Sequence, residues 1–238
     1  LLIFLMIIVG GLTRLTNSGL SITEWELFRG ILPPFNYSDW QIYFNLYKEI
    51  PQFKLINPQM SLDEFKIIFY WEYGHRILGR LIGLFIIIPL LYFQFCKKIK
   101  FKILIPNYVV FFLVLVQGTV GWYMVQSGLV NDVTVSHYRL SLHLTLAILI
   151  ISIIFWQILN FKNETLKPFF NFSNKNTPYI ILILLIYIQL ILGAFVSGLD
   201  AGSIYQTWPL MGNNYFPDDV SKNFDDLLNF KNHSIVQF

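Results

Sequence analysis

Residues 73–95 read YGHRILGRLIGLFIIIPLLYFQF, an apolar run broken near its start by His75, Arg76 and Arg80 and followed by the lysine-rich KKIKFK at 97–102. A helix rising about 1.5 Å per residue needs about 20 apolar residues to cross about 30 Å of hydrocarbon, so this run can span a bilayer. Stretches of similar character follow at about 103–124, 139–159 and 179–198, and a shorter one at 1–12 opens the chain. The opening stretch has no basic segment before it and no small-residue cleavage site after it, which argues against a secretory signal. It is expected to be a first membrane helix whose beginning is missing. The 238 residues are 55% hydrophobic, 18% aromatic and 13% charged. Soluble domains carry about 25% charged residues, so ordinary soluble, disordered and collagen-like classes are excluded. The expected fold is an all-α polytopic transmembrane helical bundle embedded in a lipid bilayer.

The single cysteine, Cys96, rules out a disulfide framework within the chain and any CxxC metal or redox motif. A net charge of +3 gives no support for nucleic-acid binding, and its placement speaks instead to orientation. Lys97, Lys98, Lys100 and Lys102 follow one span, and Lys162, Lys167 and Lys175, against Glu164 alone, follow another. These two connections are expected to face inward. The long connections at about 14–72 and 199–232 hold more acids than bases, with Asp218, Asp219, Asp225 and Asp226 clustered in the second. They are expected to face outward as caps over the bundle.

A constant shift of 183 lays Gly10 on Gly193, Gly19 on Gly202, Trp25 on Trp208 and Pro34 on Pro217. Coincidence of rare residue types at one spacing suggests a duplicated unit. Once 18 extra residues of the first long connection are removed, Glu72 and Tyr73 lie opposite Gln237 and Phe238. The sequence is therefore expected to be a fragment, cut at both ends.

Ionisable groups at membrane depth are costly, so Glu72, His75, Arg76, Arg80, Arg139 and His143 are site candidates. His75 and His143 are expected near the same ends of two parallel helices, one imidazole each, an arrangement suited to axial ligation of a heme iron from both sides. Gly79 and Gly83 follow His75 at i+4 and i+8, and Ala147 follows His143 at i+4, leaving a slot for a flat macrocycle. Zinc would require three or four ligands, and only Glu72 could join the histidines at suitable spacing. The competing reading is that the histidines are interfacial helix-end residues and the glycines serve close helix packing. Arg76, Arg80 and Arg139 suit heme propionates, because guanidinium binds carboxylates bidentately; snorkelling to lipid headgroups is the alternative. Glu72, at i−3 from His75, is placed to accept a proton or stabilise positive charge at a heme edge, or, more simply, to complement the first turn of its helix. His137 is assigned to the outer loop and His233 to a helix entry, both outside the site.

These segments resemble the heme A synthase family of cytochrome oxidase assembly over nearly the whole chain. The motifs are GGLTRLTNSGLSITEW at 10–25, PQFKLINPQMSLDEFK at 51–66, EYGHRILGRLIG at 72–83, GWYMVQSGL at 121–129, YRLSLHL at 138–144 and GLDAGSIYQTWPLMG at 198–212. The absence of paired cysteines in the first outer loop resembles the alphaproteobacterial and mitochondrial branch. The resemblance implies eight helices in two pseudo-symmetric four-helix halves. The first half would occupy 1–160, with the outer loop at about 14–72 and a heme pocket, and 161–238 would be a truncated second half ending at the start of a sixth helix. It implies oxidation of a ring methyl of heme O to the formyl of heme A, with His75 and His143 as the N-terminal axial pair and Glu72 as the catalytic acid of an ExxH motif. Heme b would occupy the C-terminal half of the complete protein, whose histidine pair this chain lacks, and the fragment alone is expected to be inactive. Heme O synthase and the oxidase assembly machinery are the implied partners, with an unidentified electron acceptor and a possible homo-oligomer. The membrane would be bacterial cytoplasmic or mitochondrial inner, with the heme pocket on the outer side. Two alternatives are a b-type cytochrome that only transfers electrons and a heme-binding assembly factor without catalysis.

Overall fold

The computed structural model describes residues 1–238 except 26–28, 97, 98, 100, 131, 164, 166, 221 and 222. Lys97, Lys98, Lys100 and Glu164 of the orientation argument thus lie outside the described residues. Among those described, the regular structure is helical: α1 Leu2–Leu15, α2 Tyr37–Lys48, α3 Pro51–Leu55, α4 Leu62–Phe95, α5 Phe101–Gln126, α6 His137–Lys162, α7 Thr177–Gly198, α8 Phe224–Leu227 and α9 His233–Gln237. Four of these, α4 to α7, are long and apolar enough to cross a membrane. The chain is an integral membrane protein with a polytopic helical fold.

The helix containing the opening motif begins eleven residues earlier than the hydropathy suggests. Ser61 forms a capping box with Glu64: the Glu64 amide donates to Ser61 Oγ at 3.3 Å, and the Ser61 amide donates to Glu64 Oε2 at 2.7 Å. α4 consequently runs for 34 residues, about 51 Å at about 1.5 Å each, well beyond the thickness of the hydrocarbon. Its first third is amphipathic, with Asp63, Glu64 and Lys66 exposed to water or only half-buried while Phe65 and Phe69 are buried one turn apart. Glu72 and His75 therefore lie mid-helix rather than at a helix start, and the first-turn dipole reading of Glu72 is set aside.

Phe65 and Phe69 close an aromatic core with Trp40, Phe44 and Tyr47 of α2, together with Leu20, Ile22 and Ile50. The Trp40 ring meets Phe69 edge-on at 5.0 Å, the arrangement ring quadrupoles favour. Tyr47 is fully buried, donating to Gln52 Oε1 at 3.1 Å and accepting from Asn57 Nδ2 at 3.0 Å. Burial pushes its hydroxyl pKa up, partly offset by the Asn57 bond. Gln52 in turn donates to the Asn17 carbonyl at 3.1 Å, tying α3 to the segment leaving α1.

The chain divides into two compact units, Leu1–Val135 with Leu146–Phe170, and Ser136–Thr145 with Asn171–Phe238. In the first unit α1 and α5 pack on α4. In the second, α7 packs on α9 and on a 3₁₀ turn at Ala201–Ser203.

Replacing Phe65, which is completely buried, with Ala is expected to cost about 3–5 kcal/mol. Phe85→Ala, at a position 65% exposed on the membrane stretch of α4, should leave stability nearly unchanged. Thermal unfolding of the two variants in detergent checks this; equal losses would contradict the assignment of the aromatic core.

Candidate functional site

The exit from α1 shapes the first unit's site. Thr16 caps the helix, Asn17 takes a left-handed conformation (φ 52°), and the Ser18 amide bonds back to the Thr13 carbonyl at 3.0 Å. Asn tolerates that region better than most residues, so the turn is available to this sequence at little strain. It delivers Ser21 and Ile22, both buried, to the side of α4.

There they meet Glu72, which is only 3% exposed. Its Oε2 accepts from Ser21 Oγ at 2.8 Å and from the Ile22 amide at 2.9 Å. Its Oε1 accepts from Arg76 Nε at 3.0 Å and Nη2 at 2.7 Å. Arg76 continues outward, donating from Nη2 to the Ile22 carbonyl at 2.8 Å and from Nη1 to the Glu24 carbonyl at 3.2 Å, with its guanidinium 5.6 Å from the Trp25 ring centre. A buried carboxylate is tolerable when its charge is matched and its lone pairs are filled, and here both conditions hold. The partner of Arg76 within the protein is Glu72, one turn away, whereas propionates or headgroups are the partners expected from the sequence; the i, i+4 spacing was the signal to read. Arg80 lies one turn further, lining with Arg76, Tyr43, Phe69 and Tyr73 a small cleft in the same unit.

His75, half-buried on α4, packs against α1. A Cβ on Gly10 would stand 3.2 Å from His75 Nε2, tighter than ordinary contact, so glycine is what allows the ring this close. Gly79 faces the end of Met6, at 3.3 Å from a would-be Cβ, and Gly83 faces open space. The small residue that matters most to His75 is thus Gly10, on another helix. In the sequence it is the match to Gly193 in the repeat and the first residue of the 10–25 motif, with no link to His75.

In the second unit, His143 and Arg139 are half-buried on α6, one turn apart. His137 differs from the expectation of a loop residue: it is the first residue of α6 and only 8% exposed. Its ring meets Phe195 edge-on at 5.2 Å, while Gly198 leaves the space its Cβ occupies. His233 opens α9, as a helix-entry residue. The long connection of this unit is knotted by Asp219, which accepts from Tyr205 Oη at 2.8 Å and from Ser234 Oγ at 2.7 Å. The Ser234 bond, followed by the Tyr205 bond, holds the Asp219 carboxyl below its usual range, and the Asp219 bond pushes the Tyr205 hydroxyl pKa up.

Among the described residues, no group of three or more His, Cys, Asp or Glu is placed to hold a metal ion. His75 Nε2, a nitrogen able to ligate iron, lies against α1 beside Gly10, and Arg76 and Arg80 follow it on α4.

A family model described as cytochrome oxidase assembly protein matches residues 1–238. The chain is 53% identical over 240 residues to a protein named heme A synthase from Pelagibacter ubique, covering 100% of this chain and 70% of that one. Proteins of the same name from Rickettsia felis and Parvibaculum lavamentivorans are 44% and 46% identical, each over 100% of this chain and 71% and 69% of their own. No solved structure matches.

Glu72→Ala would strand the Arg76 charge among buried groups, at an expected cost of about 3–5 kcal/mol. Ser21→Ala removes one neutral donor and should cost about 1 kcal/mol. Thermal unfolding, with protease cleavage between residues 16 and 34 as a local readout, checks both; a Glu72→Ala variant as stable as Ser21→Ala would contradict the clamp. Acid provides a second check. Since the folded-state pKa of Asp219 is lowered, its contribution is present above its ordinary value of about 4 and lost as pH falls through the folded value. Cleavage within 199–232 is therefore expected to stay constant from neutral pH down to that region and to rise only below it.

Proposed function

The chain belongs to the cytochrome oxidase assembly protein family, and from that premise we propose that it is a membrane oxidoreductase converting heme O to heme A. The observation that supports this reading best is the buried Glu72–Arg76 pair one turn from His75 on a helix that enters the membrane. Its relatives named heme A synthase, matched along the whole chain, point the same way.

In this proposal His75 and His143 each offer an imidazole nitrogen to the heme iron. Arg80 and Arg139 offer guanidinium donors to the propionates, and Arg76 contributes the one N–H its internal bonds leave over. Gly79 and Gly83 keep the His75 face of α4 low. When bound, heme O supplies the ring methyl that is oxidised, through successive hydroxylations and loss of water, to a formyl group. Glu72 holds all four of its accepted bonds in the folded protein, so its proposed role is to stabilise positive charge developing nearby rather than to take up a proton. It also keeps the 21–25 segment on α4, which excludes water from that side of His75.

The lysine distribution supports placing the long connections and this pocket on the outer side of a bacterial cytoplasmic or mitochondrial inner membrane. Heme b in the C-terminal half, a heme O synthase donor, the oxidase assembly machinery, an unidentified electron acceptor and a possible homo-oligomer complete the proposal.

The test is heme extraction from cells that make heme O, lack their own synthase and express the full-length protein. Heme A should appear and should be lost on replacing His75 or His143 with Ala, while His137→Gln retains it. Heme B alone in a well-expressed, low-spin protein would favour a b-type cytochrome and overturn the reading.

A further inference from the structure

The shift of 183 seen in the sequence is obeyed by the backbone. α1 ends at Leu15 and α7 at Gly198, each followed by a cap residue of nearly the same conformation, Thr16 (φ −88°, ψ 3°) and Leu199 (φ −98°, ψ 1°). Next come Asn17 and Asp200, at φ 52° and 51°, the non-glycine residues with positive φ among those described. The shift then pairs Ile22 with Tyr205, and these two backbone units are bound in the same way.

In the first unit the Ile22 amide donates to Glu72 Oε2 at 2.9 Å, and its carbonyl accepts from Arg76 Nη2 at 2.8 Å. In the second unit the Tyr205 amide donates to Gln237 Oε1 at 2.9 Å, and its carbonyl accepts from Gln237 Nε2 at 2.7 Å. Gln237 Nε2 also lies 3.3 Å from the Gly202 carbonyl. One neutral amide thus does the work that a carboxylate and a guanidinium share in the first unit. We propose that Gln237 is the positioning residue of the second long connection, holding Tyr205 as Glu72 and Arg76 hold Ile22, so that the two units use one scaffold in a charged and a neutral version.

The chemistry makes the two versions non-interchangeable. Around Gln237 the partners are one donor, the Tyr205 amide, and two acceptors, the carbonyls of Gly202 and Tyr205. A carboxylate there would face two carbonyl oxygens without a proton to give them. A protonated carboxyl would recover one of those bonds. Among the described residues, the titratable groups near this contact are Asp219 and Tyr205, joined to each other, Asp218, whose charge also acts on Tyr205, and His233 at the start of α9. Each is present in the parent protein too, which serves as the control for their titration. The proposal does not depend on the activity proposed above.

Hydrogen exchange of the full-length protein in detergent, corrected for intrinsic rates, tests it at pH 7.5 and 4.5. In Gln237→Glu, amides of 199–212 should exchange at least tenfold faster than in the parent at pH 7.5 and recover most of that protection at pH 4.5. Gln237→Ala should lose protection there at both pH values, and α4 amides should be unchanged in both variants. Parent-like protection in both variants, or a loss in Gln237→Glu that acid does not reverse, would overturn the proposal. Loss extending equally into α4 would also overturn it, because Gln237 would then support the whole fold rather than its own connection.

Discussion

Four hydrogen bonds converging on the Glu72 carboxylate hold the first unit in register. A carboxylate buried to this depth would be severely destabilising alone, so its presence requires Arg76 beside it and the Ser21 and Ile22 donors opposite. Those donors come from 50 or so residues away in sequence, so the charge obliges the chain leaving α1 to return to α4. Once there, Leu20 and Ile22 join the aromatic core on the amphipathic third of α4, and Trp25 covers the Arg76 guanidinium. Polar and apolar contacts therefore enforce the same placement of one segment, the agreement between levels that makes a fold specific.

The same segment covers the Glu72 side of α4, three residues before His75. His75 lies in sequence between the two members of the Glu72–Arg76 pair and meets Gly10 of α1, and neither neighbour is replaceable by a generic packing residue. The second unit repeats the turn and the backbone clasp with a neutral amide in place of the ion pair. Two scaffolds of one origin thus differ at the residue that carries charge.

Much of the fold was legible from hydropathy, because about 20 apolar residues in a row have few alternatives to a membrane helix. The four long spans were recovered with ends displaced by a few residues, except at the start of α4. There Asp63, Glu64 and Lys66 dilute the hydropathy although the helix continues, and the Ser61–Glu64 capping pattern was the signal to read. The Glu72–Arg76 pair was missed, although its i, i+4 spacing was in the sequence, because Arg76 was assigned to propionates. The contacts of Ser21, Ile22 and Gly10 were not legible, since a contact across tens of residues leaves no periodicity in a single sequence. His137 was assigned to the connection because its six-residue offset from His143 excludes a shared helix face. That offset is compatible with the same helix, where His137 packs on Phe195 and Tyr138 instead.

The central claim is that the charge on Glu72, and not only its shape, supports conversion at the His75 site. Glu72→Gln in the full-length protein is nearly isosteric and removes that charge. Purified from cells supplying heme O, the variant should retain a low-spin heme spectrum while its ratio of heme A to heme O falls at least tenfold below that of the parent. An unchanged ratio with the heme still bound would contradict the account and leave Glu72 as a structural clamp alone.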